Sequence, residues 1–183
     1  MRFYLQDPHF CRSAAFSRKM CYDGGQTKKR MLFPMLIRTV YLACQLSEPS
    51  SFRPELLERW PLSASSVVLQ IDTLDDGMEQ LLPQVLRRFE NATLQYFTMD
   101  VDVSGEKRQF LLSLEDMGVN VEIKLEPLVG MSLYAAVRRY KYRIPRADHA
   151  LIVYDRMNRA IRGAISSAKN SGCDACILCC GKD

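Results

Sequence analysis

The chain has 183 residues, 48% of them hydrophobic and 25% charged, with a formal net charge of +4. That length suits a single domain, 1–183, with a sizeable core, and the proportions match a globular chain rather than a disordered or fibrous one. The net charge is too mild to argue for a nucleic-acid partner by itself, although it leaves one open.

The positive charge is uneven. Arg2, Arg12, Arg18, Lys19, Lys28, Lys29 and Arg30 lie in the first 30 residues, against Asp7 and Asp23. Those two carboxylates argue against a mitochondrial leader. Residues 1–12 read as an extended segment, "SAAFS" as a candidate first strand, and Asp23 to Lys29 as an exposed loop. Met31 to Leu46, "MLFPMLIRTVYLACQL", is the most apolar stretch. At 16 residues, with Arg38 and Pro34 inside it, it falls short of the ~20 apolar residues of a membrane helix. It reads as a core helix, and no membrane partner is expected. "SEPSSFRPELLERWP" follows, with loop character at both ends and a short helical turn between. Trp60 is expected to anchor a core or loop.

From Ser65 the pattern alternates. "SSVVLQID" is a β-branched strand ending at Asp72. Thr73 to Asn91 has apolar residues at Met78, Leu81, Leu82, Val85, Leu86 and Phe89, which is helical spacing. Its acids lie early and Arg87 and Arg88 late, as a helix dipole prefers. Pro83 is a blemish that would kink it. "ATLQYFTMDV" is a strand, and Ser104 to Gly118 is a helix with Ser104 as N-cap and Gly118 as stop. "VNVEIKLEP" alternates with period two, and a helical stretch runs through "SLYAAVRRYKY". Arg138, Arg139, Lys141, Arg143 and Arg146 form a second basic cluster, for which a solvated face is the bland reading.

The segment Arg138 to Ala164 has two readings. As one helix it would put Asp148 and Asp155 on a shared face. As strand plus helix, "HALIVYD" is a continuous β-favouring run, apolar on all sides as a central strand is, and "NRAIRGAISSAKNSG" is the helix after it. The second reading is preferred. It brings Asp155 to a carboxyl end, where open α/β sheets bind ligands. "DACILCC" closes the chain as a strand. Strands alternating with helices imply a mainly parallel sheet with helices on both faces: an α/β, Rossmann-like three-layer sandwich.

Seven cysteines are present, four of them Cys173, Cys176, Cys179 and Cys180. C-x-x-C invites zinc, but there is no second pair, and a strand points alternate cysteines to opposite faces. Buried, reduced thiols in a core strand are expected instead, which favours the cytoplasm. His9 and His149 offer no metal pair.

"RRYKYRIPRADHALIVYD" resembles a stretch of the YpsA-like branch of the SLOG superfamily, Rossmann-like proteins related to LOG and DprA. The family's stretch reads approximately R-R-N-R-Y-M-V-D-R-S-D-x-L-I-A-V-Y-D. The spacing continues through Ile165, Ala168 and Gly172. "VVLQID" stands where the family has G-M-A-L-G-V-D, with Leu69 and Asp72 retained. "LQYFTMDVDVSGEKRQ" resembles the part carrying L-P-F-x-G-Q, and "SAAFSRK" stands near F-T-G-H-R. The similarity spans roughly Ser13 to Leu178, but it is specific only from Arg138 to Gly172. The departures fall on the glycines that let backbone approach phosphate. The family's glycine after the strand-ending Asp is Arg156 here, its G-G-T turn is Arg159, Ala160 and Ile161, and Ser66 and Gln70 replace two more. Gly105 survives.

The resemblance implies a module that binds a nucleotide derivative or other phosphate-bearing small molecule without catalysis or cofactor, and it allows a homodimer. Arg138, Arg139 and Lys141, with Arg143, would meet an anion with side chains where the family uses glycine amides. Asp155 and Asp72 would accept from ribose hydroxyls. Gly105, Arg156 and Asn158 complete the candidate set. The bland alternative has Asp72 and Asp155 merely capping the following helices. Two enzyme readings compete. An N-glycosidic hydrolase would use Glu106 or Asp102 beside a phosphate site. A PIN- or NYN-type nuclease would hold Mg²⁺ on Asp72, Asp148, Asp155 and Asp183, and it requires the all-helix reading.

Overall fold

The computed structural model describes residues 37–62, 64–98, 103–125 and 140–181. The architecture that follows belongs to the unit Pro34–Asp183. The "SAAFS" strand, the loop at Asp23 to Lys29 and most of "SLYAAVRRYKY" lie outside the described residues.

Six strands form one sheet: β1 (Ile37–Gln45), β2 (Ser66–Ile71), β3 (Asn91–Thr98), β4 (Asn120–Leu125), β5 (His149–Tyr154) and β6 (Asp174–Cys179). Their order is β4-β3-β2-β1-β5-β6, and every neighbouring pair is parallel. Among the described residues three complete helices follow strands: α1 (Asp76–Leu86), α2 (Gly105–Asp116) and α3 (Arg159–Ser171). The α/β, Rossmann-like class expected from the alternation is what the chain adopts.

The core helix expected at Met31 to Leu46 is corrected: Ile37–Gln45 is a strand. It lies between β2 and β5, and Val40 to Cys44 are buried. A strand covered on both faces reads as a continuous apolar run, which periodicity alone cannot tell from a buried helix. The β-branched and aromatic residues Ile37, Thr39, Val40 and Tyr41 were the better guide.

Alternation sorts the core into two layers. Val40, Leu42, Leu69, Ile71, Leu94, Leu151 and Val153 meet Met78, Leu81, Leu82 and Val85 of α1 and Leu111 and Leu114 of α2. On the other face, Tyr41, Ala43, Ala150 and Ile152 meet Ile161, Ala164 and Ala168 of α3. Each fully buried Leu, Ile or Val contributes roughly 1.5–3 kcal/mol relative to exposure. The chain runs outward from β1 through β2, β3 and β4 with α1 and α2 on one face. It runs the opposite way from β5 to β6 with α3 on the other face. Reversing both direction and face keeps one crossover hand.

Local chemistry sets the ends. Asp75 caps α1 by accepting from the Met78 amide at 2.9 Å. Gly118 and Gly172 take positive φ, 86° and 69°, where α2 and α3 stop, a region glycine enters without Cβ strain. Short 3₁₀ turns at Pro49–Ser51 and Pro54–Arg59 join β1 to β2. Trp60 is buried edge-on against Phe89, and Arg88 donates to the carbonyls of Leu57 and Trp60, which fastens this connection to α1. The thiols of the last strand are not all buried as expected. β6 is an edge strand, so Cys179 is exposed and Cys176 only half-buried, as is Cys173 just before the strand.

Candidate functional site

The connections leave β1 and β5 in opposite directions, so a crevice opens at their carboxyl ends, the usual ligand position in such sheets. A cavity of about 510 Å³ lies there. The loop after β1 supplies Ser47, Glu48, Ser50, Ser51 and Arg53, and the turn after β5 supplies Asp155 and Arg156. Cys180 and Gly181 line it beyond β6.

Asp155 holds the two loops together. Its carboxylate accepts from the Ser47 amide at 2.6 Å and from the Ser47 hydroxyl at 3.2 Å. Burial pushes this carboxyl up, but hydrogen bonds from Ser47 and from the Glu48 backbone outweigh burial and hold it below its ordinary value. The β-strand ladder continues around it: the Asp155 amide donates to Gln45 at 3.2 Å, and the Cys180 amide donates to Tyr154 at 2.7 Å. Gly181 packs directly on Asp155, where a Cβ would overlap the Asp155 carbonyl oxygen. This is a glycine required by close backbone approach.

The candidate set from the sequence separates in space. Asp155 and Arg156 reach the crevice. Asn158 caps α3, its side-chain oxygen accepting from the Ile161 amide at 2.9 Å. Neither Asp72 nor Asp155 is a helix cap, since Asp75 and Asn158 hold those positions. Asp72 is buried, accepts from the Tyr41 hydroxyl and pairs with Arg143 Nε at 2.6 Å. Arg143 sits over the Phe97 ring, 3.4 Å from guanidinium carbon to ring centre, and is itself buried rather than solvated. Burial first, and then the Asp72 charge, push the Tyr41 hydroxyl well above its ordinary value. This trio ties β1, β2 and the approach to β5 into one buried polar cluster.

Lys141 lies elsewhere, in a shallow groove with Ser166 and Asn170 of α3. Gly105 opens α2 with open space around its missing Cβ, so its surroundings do not demand glycine. Arg138 and Arg139 are outside the described residues, as are Asp102 and Asp183. Glu106 is among the acids that raise the neighbouring Glu79, after burial and Asp76, and it does not line the crevice. The shared helix face that the nuclease reading requires for Asp148 and Asp155 is absent. Leu151 to Tyr154 are strand, and Asp148 and Asp155 flank its two ends. Asp148 accepts from the Thr39 amide and faces Arg38, at the amino end.

Sequence reasoning missed Ser47, Glu48, Ser50, Ser51 and Arg53. The signal was present: a β-favouring run followed by a serine- and proline-rich turn marks the end of a strand. Reading that run as a helix hid it.

The fold is that of a Rossmann-like α/β protein, with a crevice at its topological switch point. Set against models of known families, curated proteins and solved structures, the chain matches none. Among the described residues, no helix is long and apolar enough to cross a membrane.

Proposed function

We propose that this chain is a SLOG-like, non-catalytic module that binds a phosphate-bearing small molecule, a nucleotide derivative, in the crevice at the carboxyl ends of β1 and β5. One observation carries the reading: two arginines, Arg53 and Arg156, line one cavity of about 510 Å³ together with Ser47, Ser50 and Ser51. Small-molecule sites span roughly 300–1,000 Å³. Arginine meets phosphate with paired, charge-assisted hydrogen bonds. The side chain of Arg156 thus does the work that a glycine amide does in the family the sequence resembles. Glu48, exposed on the rim, is the carboxylate open to ribose hydroxyls. Asp155 is a positioning residue, because Ser47 occupies its oxygens.

The test is calorimetry of the full chain with nucleoside mono-, di- and triphosphates and dinucleotides. At least one binds saturably. An Arg53→Ala/Arg156→Ala variant loses tenfold or more, since each charged hydrogen bond is worth about 1.5–3 kcal/mol. Absence of heat with the whole panel, with the double variant indistinguishable from wild type, overturns the reading.

A further inference from the structure

β4 ends the sheet on the side away from β6, and among the described residues it pairs on one side only, with β3. Its free side presents main-chain N–H and C=O groups to any strand that fits. Successive strand residues point to opposite faces. Val121 packs against the core layer of α1 and α2. Ile123 and Leu125 lie on the same face of β4, yet they are 47% and 59% exposed. The helices therefore cover the start of this face and leave its rim apolar and open.

The opposite face is polar and ordered. Gln70 Nε2 donates to Gln95 Oε1, and Gln95 Nε2 donates to Glu122 Oε2, each at 3.0 Å. This side-chain ladder crosses β2 and β3 and reaches the rim at β4. Lys124 Nζ meets the same Glu122 oxygen at 2.9 Å, and both side chains stay partly exposed. The rim thus ends in one negative and one positive group, two residues apart.

Charges on an edge reject most strands that approach it. These accept one. When two copies of β4 run antiparallel about a two-fold axis at Ile123, Glu122 of each protomer faces Lys124 of its partner. On the other face Val121 meets Leu125, and Ile123 meets its own copy. Sliding by one residue sets Ile123 against Glu122 or Lys124. Sliding by two sets Glu122 on Glu122 or Lys124 on Lys124, and like charges directly opposite are destabilising. Only the one register matches every pair. We propose that β4 is a self-complementary edge and that a second copy of this chain occupies it, by antiparallel β4–β4 pairing in a two-fold homodimer.

The experiment is sedimentation velocity of the full chain from about 1 µM to about 500 µM. A monomer–dimer equilibrium is expected. Glu122→Lys and Lys124→Glu each raise its dissociation constant about tenfold or more, since each sets like charges opposite one another. An equimolar mixture of these two variants returns to the wild-type midpoint, and so does the Glu122→Lys/Lys124→Glu exchange within one chain. Ile123→Lys abolishes the dimer, and Ile177→Lys on the other edge strand leaves it unchanged. In the wild type alone, hydrogen exchange at the β4 amides slows as concentration rises, which reads the interface even where a variant fails to fold. Calorimetric nucleotide binding survives Glu122→Lys, because β3 and β2 separate β4 from the crevice at β1. The proposal is overturned by a chain that stays monomeric throughout, or by a dimer that the charge variants leave unchanged. It is also overturned by a mixture that fails to recover the dimer, or by protection that rises elsewhere while the β4 amides stay as they were.

Discussion

Replacing Tyr41 by Phe removes one hydroxyl from the buried cluster and nothing else. The Tyr41 hydroxyl donates to the Asp72 carboxylate, and the same carboxylate faces Arg143 at 2.6 Å. A hydrogen bond to a charged group contributes about 1.5–3 kcal/mol, so Tyr41→Phe is expected to destabilise by about 2 kcal/mol. For a chain of this size that lowers Tm by roughly 4–8 °C. Asp72→Ala is expected to cost more, about 3–5 kcal/mol, because it takes the carboxylate from a buried ion pair.

The cluster also fixes a pH response. The Tyr41 hydroxyl is raised by burial and by the Asp72 charge, while the unfolded chain ionises near pH ~10. Above that pH the folded state keeps a proton that the unfolded state has lost, so stability falls as pH rises. The stabilisation is complete below pH ~10 and declines above it, and Tyr41→Phe removes this component of the alkaline slope. Urea titrations followed by circular dichroism between pH 7 and pH 11 measure both effects. A cost below about 0.5 kcal/mol for Tyr41→Phe, with an unchanged alkaline slope, would refute the reasoning.

Three further substitutions test the site's supports. Gly181→Ala should destabilise by about 1–3 kcal/mol and weaken crevice ligands, because its Cβ overlaps the Asp155 carbonyl oxygen; denaturation and calorimetry read the two effects. Asn158→Ala loses the cap on the Ile161 amide and should cost about 1 kcal/mol in a denaturation midpoint. Gly105→Ala, at the start of α2 with open space around it, should leave nucleotide affinity unchanged and add up to about 1 kcal/mol of stability. A large affinity loss there would instead place phosphate at Gly105.

Much of the sheet could be read from residues. "SSVVLQID", "ATLQYFTMDV", "VNVEIKLEP", "HALIVYD" and "DACILCC" each contain a strand. They are short, β-branched or alternating, and bounded by turn residues. Asp155 at a carboxyl end followed from the same pattern. What stayed hidden had physical reasons. A central strand carries no alternation, so Ile37–Gln45 passed for a helix, and the serine loop that builds half of the crevice went with it. Arg143 looked like one more residue in a basic run. Helical spacing from Tyr140 nevertheless puts it on the side of Ile144, which is buried. Asp72 was correctly found at the end of its strand, but sequence does not say which face a strand-ending carboxylate turns to. Here it turns to Tyr41 and Arg143.

The most direct measurement is an amide nitrogen–proton correlation spectrum of the full chain titrated with adenosine 5′-monophosphate and adenosine 5′-diphosphate. Shifts are predicted at Ser47 to Arg53, at Asp155 and Arg156, and at Gly181, the residues that meet at the switch-point crevice. Shifts confined to Lys141 and α3, to the β6 edge or to the surroundings of Gly105, with the serine loop silent, would contradict the account.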